Sequence, residues 1–313
     1  MDMVCRMVTR TRFLAVALGV LLLGAVGCGN EQAPAPPARP AEPTSSVRAA
    51  VPSVRLYVLD GGVLESDPAR YRLKPEEVAT SQLSIAAHLV VHAKGILMWD
   101  AGAIADNSWV PTGAPVPRQL VLSNGQDRRV TISAPLKAQL AAAGYAPADV
   151  TYLALSHYHW DHVANANDFA GATWLVRQSE RDGLFPPQPP NPPQPTTYAY
   201  LQNSPTTIIT ADDHDVFGDG TVVIKSSPGH TPGHQVLYVK LEKTGGVVLA
   251  GDLYHYPEER TLNRLPVADF DQAQTGRSRE ALELFLKQSG AQLWIQHDLL
   301  AHAKLKKAPE YYD

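Results

Sequence analysis

From residue 54 onward the chain alternates short runs of apolar, β-branched and aromatic residues with clusters of turn residues. Such runs read as strands. VRLYVLD at 54–60 is the first, and LSIAAHLVVHAKGILMWDAG at 83–102 reads as a hairpin turning at Lys94-Gly95. TYLAL (151–155), TTIIT (206–210), TVVIKSS (221–227), HQVLYVKL (234–241), GVVLA (246–250) and LWIQ (293–296) follow as further strands. Between them the spacing predicts a helix over 134–143, with Ser133 as its N-cap and Gly144 just past its end, and a second over 276–289 that stops before Gly290. Mixed strands with interspersed helices predict a layered α/β domain over 53–313. FPPQPPNPPQP at 185–195 holds seven prolines and can be neither helix nor central strand, so it is expected to be a surface excursion. There is no internal repeat at a fixed period.

The first 52 residues carry a different pattern. Arg6, Arg10 and Arg12 precede FLAVALGVLLLGAV at 13–26, an apolar run of fourteen ending in small residues. That is the form of a secretory signal, too short for a stable membrane span. Ala25-Val26-Gly27-Cys28 resembles the bacterial lipoprotein box, which implies a signal over 1–27 and a lipid anchor at Cys28. By the same resemblance Gly29 implies export across the inner membrane to an outer-membrane address facing the periplasm. Five prolines between residues 29 and 50, among small and polar residues, make 28–52 an extended tether.

Composition narrows the chemistry. The formal charge is −4, and beyond residue 27 the chain has 24 basic against 30 acidic residues. Nucleic acid is therefore not an expected partner, since neutralising phosphates takes a concentrated basic patch. Both cysteines, Cys5 and Cys28, lie in the N-terminal segment. The folded domain has no disulfide and no thiolate ligand, so any metal must be held by His and carboxylate.

Four of the strand-like runs end in such a group: TYLAL leads to His157, TVVIKSS to His230, GVVLA to Asp252 and LWIQ to His297. Ligands at strand ends converge where a rigid sheet edge fixes them and loops admit substrate. His157-Tyr158-His159-Trp160-Asp161-His162 is the densest stretch, and alternation of His157, His159 and Asp161 would point them to one side of an extended loop. Three histidines and an aspartate are costly to bury together without a cation. Seven candidate ligands exceed one tetrahedral shell and suit two metals bridged by a carboxylate. His88, His92, His214 and His302 read as ordinary surface or core histidines, and His234 as a packing or hydrogen-bonding neighbour of the site.

At these residues the sequence resembles the metallo-β-lactamase superfamily, which implies a four-layer αββα sandwich with metals at one edge. The His-x-His-x-Asp-His motif at 157–162 carries the resemblance, which spans roughly residues 54–300. It implies that His157, His159 and His230 bind one metal, that Asp161, His162 and His297 bind a second, and that Asp252 bridges them. LYVLDGG at 56–62, PGHTPGHQ at 228–235 and the strand and Asp-x-Gly turn over 96–102 resemble the N-acyl homoserine lactone lactonase branch. Gln296 and His255 stand where that branch usually has Gly and Tyr. The implied function is ring opening of a small neutral or amphiphilic lactone by a hydroxide between two divalent cations, zinc by default, with manganese, iron or cobalt as substitutes. Asp161 at the second metal and Tyr254 or His255, as donor to the leaving alkoxide, are the expected catalytic residues. Hydrolysis of a thioester, a β-lactam or a phosphodiester on the same metals is the alternative. A non-catalytic metal-binding lipoprotein is the third reading, and the oligomeric state is left open.

Overall fold

The computed structural model describes residues 53–108, 114–121, 126–187 and 197–313. The signal and tether expected over 1–52, and residues 188–195 of the proline-rich excursion, lie outside the described residues. Ala49–Asp313 is one compact unit.

One sheet contains β1 (Arg55–Glu65), β2 (Gln82–His92), β3 (Gly95–Trp99), β4 (Val116–Val121), β5 (Asp127–Ile132), β6 (Tyr152–Ala154), β7 (Thr173–Val176) and β8 (Thr206–Ile208), in the spatial order β4, β5, β1, β2, β3, β6, β7, β8. The other contains β9 (Asp213–Asp215), β10 (Val222–Ser226), β11 (Gln235–Leu241), β12 (Gly245–Leu249) and β13 (Gln292–Trp294), in the order β13, β12, β11, β10, β9. The helices are α1 (Leu136–Ala142), α2 (Trp160–Val163), α3 (Gln178–Leu184), α4 (Pro257–Thr261), α5 (Gln272–Ser289) and α6 (Leu299–His302).

The two-residue period of the strands sorts their side chains into layers. Leu56, Val90, Leu97 and Trp99 of the first sheet pack against Leu237, Val239, Val247 and Leu249 of the second. Tyr57, Leu59, Leu89 and Met98, at the intervening positions of the same strands, face the other way and bury Leu136 and Leu140 of α1. On the far side Val236 and Val248 bury Leu282 and Leu286 of α5. Helix, sheet, sheet, helix is the αββα sandwich expected from the sequence. Covering both faces of each sheet is why the strands read as nearly continuous apolar runs.

Two element boundaries differ from expectation. The first helix begins at Leu136, and the carboxylate of Asp106, thirty residues upstream, accepts from the Leu136 and Lys137 amides at 2.8 and 2.7 Å. Ser133 is not its cap, because a carboxylate from a distant loop fills that role. The second helix begins four residues earlier than expected, at Gln272, with Asp271 accepting from the Gln274 amide. The β4–β5 hairpin was not anticipated; the six residues of β4 alternate between half-buried and exposed, so no apolar run marks it.

Strand direction is what positions the site. β10 and β12 are both antiparallel to β11, and β13 is parallel to β12, so the three end at one edge of the second sheet. There they lead to His230, Asp252 and His297, and β6 of the first sheet leads to His157 at the same place.

Candidate metal centre

The backbone does not stay extended through the 157–162 cluster as its alternation suggested. It turns at His159, the N-cap of α2, and Asp161 and His162 project from the first turn of that helix. The turn sends His157 and His159 to one side and Asp161 and His162 to the other. Two groups result, sharing one residue: His157, His159, His230 and Asp252, then Asp161, His162, Asp252 and His297.

Asp252 divides its oxygens between them. Its Oδ2 lies 3.5 Å from His157 Nε2 and 3.4 Å from His230 Nε2, while Oδ1 lies 3.1 Å from His162 Nε2 and 2.9 Å from His297 Nε2. His159 Nδ1 is 3.0 Å from His230 Nε2, and the Asp161 carboxylate is 3.8 Å from His297 Nε2. His157 Nε2, His162 Nε2 and Asp252 Oδ1 are all buried without a hydrogen-bond partner. Leaving three such atoms unpaired is expensive. Two divalent cations, one per group, would satisfy all three, so the donor set fits a dinuclear centre.

Neighbouring groups hold the ligands in place. Asp100, at the end of β3, accepts from the Ser156 amide and sits 2.9 Å from His162 Nδ1. His297 Nδ1 is 2.6 Å from the Ser84 carbonyl of β2, and His230 Nδ1 is 2.8 Å from the Asp269 carboxylate. In each case the second ring nitrogen is turned toward Asp252, the arrangement that orients an imidazole for a metal. Buried Glu180 of α3 accepts from the Tyr158 amide, the Thr231 hydroxyl and the Gly233 amide, and so ties the β6 loop to the β10 loop. Sequence reasoning missed Asp269, Glu180 and Ser84, and noted Asp100 only as part of a turn.

Charge follows from burial and proximity. Burial, with His162 and His230 nearby, pushes His157 and His159 well below the usual imidazole range, so both are neutral and able to ligate. Burial opposes ionisation of Asp252, but His297, His162, His157 and His255 outweigh it and hold its carboxyl well below the usual carboxylate range. His234 is held at about 3, chiefly by burial. Its Nδ1 donates to the Ser227 carbonyl at 3.0 Å and its Nε2 accepts from the Asp252 amide at 3.0 Å. It braces the shared aspartate from outside both groups, as the sequence suggested.

The two candidate donors after Asp252 separate. His255 lines the cleft, with Nε2 3.2 Å from Asp252 Oδ2 and its ring stacked parallel to that of His297. Glu259 accepts from the His255 and Tyr256 amides at 2.5 and 2.9 Å and fixes this turn. The expectation for Tyr254 is corrected. Its side chain points at α5, where the hydroxyl donates to Glu283 at 3.1 Å and the Arg279 guanidinium lies 4.2 Å over the ring. Adjacent residues in extended backbone face opposite ways, and α5 takes the tyrosine.

The cleft above the cluster has a volume of about 420 Å³. His159, Asp161, His230, Asp252, His255 and His297 form its floor, and Leu64, Tyr71, Leu83 and Trp160 its apolar wall.

Residues 112–291 match a family model described as the Metallo-beta-lactamase superfamily. The N-acyl homoserine lactonase AttM of Azorhizobium caulinodans is 29% identical over 277 residues, covering 83% of this chain and 99% of the relative. A solved N-acyl homoserine lactone hydrolase, with the product N-hexanoyl-L-homoserine at its catalytic metal centre, superposes with a TM-score of 0.66 at 23% identity, over 82% of this chain and 98% of that one. AidC, a dizinc quorum-quenching lactonase, superposes with a TM-score of 0.59 at 17% identity, over 83% of this chain and 94% of its own.

Proposed function

The chain belongs to the metallo-beta-lactamase superfamily, and from that membership we propose that it is a dinuclear metal-dependent hydrolase that opens the lactone ring of N-acyl homoserine lactones. The observation that carries the reading is Asp252, whose two oxygens each face a separate set of imidazoles. The activity named for the AttM relative and the apolar wall of the cleft support the substrate class.

Bound in the two sets, divalent cations supply Lewis acidity, polarising the lactone carbonyl and bringing water to a pKa of about 7 when the metal is zinc. Zinc is the expected metal for nitrogen and oxygen ligation without thiolate. Asp252 fixes the spacing of the two sets and balances their charge. His255 faces the cleft beside Asp252 and is placed to donate a proton to the ring oxygen as a water oxygen bonds to the carbonyl carbon and the acyl C–O bond breaks, which gives a hydroxy acid. Leu64, Tyr71, Leu83 and Trp160 offer the acyl chain an apolar surface.

The test is a parallel assay of zinc- or manganese-loaded protein on N-hexanoyl homoserine lactone, a simple γ-lactone, a thioester and a cephalosporin. The homoserine lactone should be turned over fastest. A thioester or cephalosporin turned over faster would overturn the substrate assignment.

A further inference from the structure

Every imidazole in the cluster with a partner on Nδ1 is held by something, but the holders differ in kind. His162 is backed by Asp100 at the end of β3 and His297 by the Ser84 carbonyl of β2, both parts of the first sheet. His230 is backed by Asp269, 39 residues further on and outside any helix or strand. The Asp269 side chain is fully buried, and its Oδ1 lies 2.8 Å from His230 Nδ1. A carboxylate there requires the proton on Nδ1 and leaves the Nε2 lone pair toward Asp252 and His159.

The segment carrying Asp269 is also a wall of the cleft. Pro266 and Ala268 line it. At one end the Val267 amide donates to the Arg70 carbonyl, and at the other the Phe270 and Asp271 amides donate to the carbonyls of His230 and Gly229. A Cβ at Gly229 would collide with the Thr275 backbone, so the His230 loop seats closely against the start of α5. Its outward side is uncovered, with Val267 58% and Phe270 68% exposed. It is tied by a few hydrogen bonds and one buried carboxylate rather than by core packing, which puts it among the easily opened parts of the fold.

We propose that Asp269 is the positioning residue that fixes His230 as a metal donor, so that retention of the cation held by His157, His159 and His230 depends on residues 266–271 of the cleft wall. The proposal rests on the dinuclear reading above. The cation of the Asp161, His162 and His297 set is held from the sheets and does not share this dependence. A product molecule lying against Pro266 and Ala268 steadies the segment and through it slows loss of the first cation more than of the second.

The test uses the full chain loaded with zinc, compared with Asp269→Ala and Asp269→Asn. Zinc affinities are measured by competition with a chromophoric chelator, with and without N-hexanoyl-homoserine, and thermal unfolding of the metal-free forms is followed alongside. Asp269→Ala should weaken one zinc by about 10- to 100-fold, the usual effect of losing such a partner, and leave the other zinc unchanged, with the metal-free melting temperature lowered by no more than about 2–4 °C. Asp269→Asn, which keeps an acceptor for Nδ1–H, should recover part of the loss. In wild type the product should slow release of the zinc that Asp269→Ala weakens more than release of the other, and in Asp269→Ala that difference should vanish. Unchanged affinities in Asp269→Ala, or equal weakening of both zincs, would overturn the positioning role; product without effect on wild-type release would overturn the link to the cleft. Wild-type protein taking up fewer than two zincs would instead overturn the dinuclear reading beneath it.

Discussion

Asp252 concentrates the chemistry of the site in one carboxylate. It is buried, ionised, and approached within 3.5 Å by five imidazoles, counting His255. Asp252→Ala should therefore lose both cations together, and metal analysis of the purified variant checks this; retention of one full equivalent with activity would show that the carboxylate does not bridge. His255 and Tyr254 divide as the cleft divides them. His255→Ala should lower turnover by about 10²-fold, the scale of losing one acid–base partner, with metal content unchanged. Tyr254→Phe should leave turnover unaltered and cost about 1 kcal/mol of stability through the lost Glu283 hydrogen bond. Steady-state rates on one lactone decide both. A larger loss in Tyr254→Phe would assign the leaving-group role to the wrong side chain.

At the scale of elements, strands and the loops that follow them were legible in the sequence because both carry their own signature: apolar runs ending in His or Asp. The backing residues carry none. Asp269 lies in a mixed stretch, 39 residues from its histidine, and Asp106 caps α1 from thirty residues away. Tyr254 was ambiguous for the same reason, since only the arrival of α5 decides which of two neighbouring side chains faces the metals. Capping across such a distance has a measurable consequence. Asp106→Ala should remove about 1 kcal/mol, lowering the melting temperature by about 2–4 °C for a domain of this size, while turnover stays at the wild-type value because α1 packs on the sheet face away from β10, β12 and β13. Loss of activity without loss of stability would mean that α1 shapes the site directly.

For the whole molecule, the four-layer sandwich makes the site a property of one edge, where strand ends from two sheets meet and neither sheet alone supplies a complete ligand set. The N-terminal segment is a separate matter. No helix among the described residues is long and apolar enough to cross a membrane, and we propose that the chain is held at the membrane through acylated Cys28, with residues 28–52 as tether. Cys28→Ala should move the protein from membrane to soluble fractions with activity per molecule intact; wild-type protein already soluble, with an unmodified N-terminus, would refute the anchor. On this reading lactone opening requires both cations at once. The most direct measurement is titration of metal-free protein with zinc while acid release from N-hexanoyl homoserine lactone is followed at constant pH. Turnover should be absent without metal and should rise until two equivalents are bound, whereas turnover that is independent of zinc, or complete at one equivalent, would contradict the account.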